Sequence, residues 1–189
     1  MICGAAERHA VMPPSAQPSV DDSADDELRL AQAQMLAQVL TRVGYAVWQA
    51  AELENTLAHY VVLRLRASCG VGEKRGIELL EKAQSRTFGH LLKELREAGI
   101  FEGSLEVRIS SLLEERNWLV HRAKRENRGI LNDMRTFDAL VERLDRMGAE
   151  ATQLNTLLGK ELERFVIASG VDQKYIDEEA AAFLQRWGY

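Results

Sequence analysis

Residues 132–169, NDMRTFDALVERLDRMGAEATQLNTLLGKELERFVIAS, contain no proline and place Phe137/Leu140, Leu144/Met147 and Ala151/Leu154 at intervals of seven. That spacing is the seam of a coiled-coil-like helix, which if unbroken extends about 55 Å at 1.5 Å per residue. Gly148 and Gly159 are the points where it is expected to bend. Outward from this segment the same reading holds. All three prolines of the chain, Pro13, Pro14 and Pro18, lie in its first eighteen residues, so nothing downstream carries the residue that breaks helices. The expected fold is an all-α helical bundle with a long C-terminal helix.

Upstream, acids at Asp21, Asp22, Asp25, Asp26 and Glu27 gather ahead of Leu28, Leu30 and Met35, favourable to the start of a first helix. A second, long helix is expected over 43–68, where Ala46, Ala50, Leu53, Leu57, Val61 and Leu65 recur at steps of three and four before Gly70 and Gly72. Further helices are expected over 74–82, 87–97, 104–125 and 172–187, with a loop at 127–129. Residues 1–20 show no sustained period and read as a flexible tail; 21–189 read as a single helical domain.

With 189 residues, 46% hydrophobic and 28% charged, the chain can bury a core and is not of disordered composition. A net charge of -5 excludes a broadly basic coat for nucleic acid and leaves only a focal contact. Cys3 and Cys69 alone cannot build a disulfide framework or a four-cysteine zinc site. No metal site, no cofactor and no membrane span is expected, and the expected location is the cytoplasm.

Within 104–125, Leu105, Ile109, Leu112, Leu113, Leu119 and Val120 form one apolar stripe. Arg116 falls at its middle, where an unpaired guanidinium costs several kcal/mol, so a partner or a wet cleft is required. Asn117 and His121, four apart, share a face at the stripe's edge. Arg116, Arg122, Lys124, Arg125 and Arg128 stand against the single acid Glu126, a cationic patch on an acidic protein.

The run Arg116-Asn117-Trp118-Leu119-Val120-His121-Arg122 resembles the signature of the HEPN superfamily: Arg, then a polar residue, then His, on a late helix of a small bundle. The resemblance spans 40–168, with its motif at these positions. It implies a metal-independent endoribonuclease, of the toxin or antiviral defence kind, that cleaves RNA by attack of a ribose 2′-OH. Arg116, Asn117 and His121 would be catalytic, and Arg122, Lys124 and Arg125 would contact RNA. A homodimer and an antitoxin or defence-system protein are the partners it implies. Some members carry a Tyr two residues after the His, the target of their antitoxin; Ala123 stands there, so that modification is not expected.

The residues also admit plainer roles. Arg116 can be held by Glu54 or Glu52, His121 can cap a helix end, the basic run can be a solvated helix terminus, and Trp118 can pack on another helix. A non-catalytic HEPN-like module that dimerises and binds a protein or a nucleotide is the competing reading. Glu52, Glu54 and His59 lack a metal-ligand spacing, and Gly70, Gly72 and Gly76 with Lys74 lack the end of a phosphate loop.

Overall fold

The computed structural model describes residues 20–68, 70–101 and 103–186, with side chains from Ala24 onward. The expected tail before Val20, both cysteines and the end of the last helix at Trp187 lie outside the described residues. Among those described there is no strand, and the all-α expectation holds. The helices are α1 (Val20–Val61), α2 (Glu73–Gln84), α3 (Phe88–Glu97), α4 (Ser104–His121), α5 (Ala123–Glu126), α6 (Met134–Ala168) and α7 (Gln173–Arg186). No helix among the described residues is long and apolar enough to cross a membrane.

Two expected helices at the N-terminal end are one. α1 runs without interruption through the 42 residues Val20–Val61 and closes in a wider turn over Val62–Arg66, where Ala67 N–H donates to the Val62 carbonyl at 2.7 Å. Nothing between Met35 and Val43 breaks helical geometry, and Gly44 alone does not stop a helix whose flanks pack.

α1 lies parallel to α6. Gln32 donates to Asn132 just before α6 (3.1 Å), Arg42 meets Asp145 (3.1 Å), and the Tyr60 hydroxyl donates to Glu161 (2.7 Å), so both helices advance together. Leu53 and Leu57 of α1 and Leu144, Leu154 and Leu158 of α6 are buried between them. α3 adds Leu91 and Leu95 and α4 adds Ile109 and Leu112 to the same core. α7 contributes no buried side chain. Asp133 caps α6: the Thr136 hydroxyl and the Arg135 backbone N–H donate to its carboxylate and hold its pKa below the ordinary value.

The glycines of α6 do not bend it; the helix is continuous over Met134–Ala168. Gly148 instead makes room for a ring, since a Cβ there would stand 2.7 Å from two carbons of Tyr45. Gly159 has open space around it. Opposite signs are therefore expected in urea unfolding: Gly159→Ala gains about 0.5–1 kcal/mol from helix propensity, whereas Gly148→Ala loses about 1 kcal/mol or more because the clash outweighs that gain.

Burial, with the Glu161 bond second, pushes the Tyr60 phenol from 10.0 up to about 12. A raised folded pKa means that this contribution to stability is complete below the ordinary value of 10.0 and is lost as pH rises through about 12. Stability measured across that window should fall more steeply in the wild type than in Tyr60→Phe.

Candidate functional site

α4 is antiparallel to α6, as its two cross-links show: Arg108 meets Glu150 (2.7 Å), and one helical pair of turns later Glu115 meets Arg143 (2.7 Å). The helix stops at His121 rather than continuing to Arg125. Arg122 has left helical geometry (φ -125°, ψ -31°), and Ala123 is tucked into the core at the head of the one-turn α5. The bend is fixed from the far side. Trp118, only 5% exposed, lies under the Arg143 guanidinium (3.3 Å to the ring centroid), and its indole N–H donates to Glu126 at 2.7 Å. Trp118 is thus a packing residue that ties α4 to both α6 and α5, and Glu126, the one acid of the cationic run, is engaged with it.

Arg116 emerges on the α1 side of α4. Its Nη2 approaches Glu54 Oε2 at 3.9 Å and its Nη1 donates to Asn117 Oδ1 at 3.3 Å. Of the two acids considered from sequence, Glu54 is the partner and Glu52 is not. The pair is loose, with side chains 34% and 26% exposed, whereas the bidentate Arg66–Glu94 pair closes to 2.6 Å with side chains 16% and 25% exposed. Glu54 also lines a shallow depression of about 240 Å³ with Ala51, Asn55 and Gln84. The guanidinium is therefore neither buried without a partner nor locked; several of its N–H groups remain available.

Asn117 and His121 are both exposed, and His121 is the last residue of α4. Five residues of helix place Arg116 and His121 about 140° apart around the axis, so they border the helix end from different sides. Arg122, Lys124 and Arg125 are exposed on the turn that follows. Among the described residues, Arg122 and Lys124 have no carboxylate within ion-pair distance, while Arg125 meets Glu126 at 3.9 Å. The structure thus gathers the six sequence-derived residues at the α4–α5 corner without bringing Arg116 and His121 onto one face.

Two features escaped the sequence reading. Glu94 joins Arg66 to Arg86 (2.7 Å), and Arg86 in turn contacts His90 Nε2 at 2.8 Å, a network that ties the turn after α1 and the α2–α3 loop to α3. Between α4 and α6 runs a groove of about 650 Å³ with Leu112 and Met147 in its lining and the Arg108–Glu150 and Glu115–Arg143 pairs across it. The Glu150 carboxylate holds the Arg108 guanidinium above its ordinary pKa. Neither Arg116 nor His121 lines this groove. No cluster of three or more potential metal ligands occurs among the described residues, and His59 bonds the Asn55 carbonyl of its own helix.

No protein-family model, no curated protein and no solved structure matches this chain.

Exposure sets the expected stability effects. His121→Ala should change unfolding free energy by less than about 0.5 kcal/mol, and Arg116→Ala by less than about 1 kcal/mol, because an open pair of this kind contributes little. Trp118→Ala should cost about 3 kcal/mol or more in the same chemical denaturation series. A His121→Ala loss as large as that of Trp118 would assign the histidine a structural role.

Proposed function

We propose that the chain is an HEPN-like, metal-independent endoribonuclease, cytoplasmic and homodimeric, of the toxin or defence type. The observation that carries the reading is the state of Arg116: a one-third-exposed guanidinium on a long contact to Glu54, beside exposed Asn117 and near exposed His121, Arg122 and Lys124, the last two without a carboxylate at ion-pair distance among the described residues. Free N–H groups of Arg116 can bind a phosphate in two parallel charge-assisted bonds that strengthen as charge builds on the phosphoryl oxygens. Asn117, already bonded to Arg116, orients it or the substrate. His121 takes the 2′-OH proton as the O2′–P bond forms. The P–O5′ bond breaks, the 5′-oxygen takes a proton from solvent, and a 2′,3′-cyclic phosphate remains. Since the two side chains flank the helix end, the strand would cross the α4–α5 corner, with Arg122, Lys124 and Arg125 on neighbouring phosphates.

The Glu54 contact also favours a second reading, in which Arg116 is a positioning group within a non-catalytic HEPN-like module that binds a protein or nucleotide. Labelled RNA incubated with the protein in EDTA separates them. The nuclease reading expects chelator-resistant cleavage with cyclic phosphate ends, reduced at least about 100-fold in His121→Ala and Arg116→Ala. It also expects RNA affinity to fall steeply with salt. A folded protein that cleaves no RNA under these conditions supports the module.

A further inference from the structure

α1 carries two seams. The inner one packs on α6. The outer one consists of Leu30, Ala33, Ala37, Leu40, Gly44, Val47 and Ala51, spaced alternately by three and four residues, and every member is exposed. Leu36 and Trp48 flank it; Leu40 is 60% and Trp48 67% exposed. Residues 30–51 contain a single formal charge, Arg42, and that side chain is turned to Asp145 of α6. An exposed helix face without charge, in strict heptad order, matches a coiled-coil contact rather than a solvated surface.

We infer that this face is the surface on which a second copy of the chain docks, antiparallel, about a two-fold axis passing at Arg42. The residue order is what selects that occupant. Pairing about Arg42 sets Leu40 against Gly44 of the second copy and Val47 against Ala37, so the larger side chains of the central seam meet small ones, while Ala33 meets Ala51 and the flanking Leu36 and Trp48 cover each other. A two-fold contact must be complementary to itself, and this order is. The parallel arrangement instead stacks Gly44 on Gly44 and brings the acidic start of each α1, Asp25, Asp26 and Glu27, onto its twin. In the antiparallel one the helix dipoles oppose, and the end of the seam at Leu30 meets Glu54 of the other copy, with the neighbouring Arg29, its side chain 73% exposed and held by Asp25 and Asp26 of its own helix, within reach of that carboxylate.

The seam ends at Glu54, the partner of Arg116, so each Arg116 corner is bordered by the first turns of the other copy's α1. The two corners stand at opposite ends of the contact, about 36 Å apart at 1.5 Å per residue, rather than in one shared cleft. The face is defined by α1 alone; with the RNA reading it shares the expectation of two copies and a border at Glu54.

Cysteine pairing tests both the face and the direction. In a Cys3→Ser/Cys69→Ser background, Leu40→Cys and Gly44→Cys chains are prepared separately, then oxidised alone and after mixing. The antiparallel register predicts a covalent dimer in the mixture and none in either chain alone. Cross-linking of each chain with itself, or none in the mixture, overturns it. Sedimentation of the unmodified protein at about 10 μM, well above the Kd expected of a stable dimer, should give a dimer. Leu40→Glu/Val47→Glu should sediment as a monomer with unchanged helical circular dichroism. A wild type that is monomeric, or a double variant that remains dimeric, rejects the face whatever the outcome of the RNA assay.

Discussion

The parallel contact between α1 and α6 is the constraint on which the remaining structure depends. Two parallel helices cannot be joined by a tight turn; the chain has to travel back along their length before the second can start. Here α2 to α5 make that return, and packing them on the exposed sides of α1 and α6 brings α4 antiparallel to α6 and its Arg116 against α1. Leu53, Leu57, Leu144, Leu154 and Leu158 provide the apolar burial that fixes the pair, and Gly148 sets how closely they approach at Tyr45. The position of the α4–α5 corner is a consequence of this contact.

Charge is arranged around that core in a graded way. Arg66–Glu94, Arg108–Glu150 and Glu115–Arg143 are short, and the last two straddle the α4–α6 groove as clasps. Arg116–Glu54 is the longest of the pairs that tie α1, α4 and α6 together. A loose, third-exposed pair adds little to folding and leaves the guanidinium free to exchange its carboxylate for another anion. The weakness of that contact is what makes the corner a candidate for phosphate, and its presence is what keeps a purely structural role in play. Trp118 holds the corner rigid from behind through Arg143 and Glu126.

Much of the helical layout was legible because its signals are local. Gly70 and Gly72 lie in the break between the turn that ends at Arg66 and α2, Thr87 caps α3, and the heptads of α6 appear as buried residues at Phe137, Leu140, Leu144, Met147, Ala151, Leu154 and Leu158. The failures have a common cause. Whether a helix crosses a weak interior position depends on what packs beside it, so α1 reads as two helices where packing makes it one. The α4 terminus reads as 125 where burial of Ala123 bends it after His121. Gly148 reads as a hinge because its neighbour Tyr45 lies about a hundred residues away in sequence.

For the candidate site the division is similar. Sequence alone determined that a permanent cation sits within an apolar helical stripe, that Asn117 and His121 follow it at helical spacing, and that a basic run succeeds them; these are matters of residue type and 3.6-residue periodicity. It also supplied the uncharged order of residues 30–51. Only the tertiary structure decided that Glu54 rather than Glu52 meets Arg116, that the contact is long, that Trp118 faces inward, and that the outer seam of α1 is left uncovered by the rest of the bundle. The physical reason is that periodicity fixes which residues share a face, while the partner of a face is chosen by how whole helices pack, a long-range result that no local window contains.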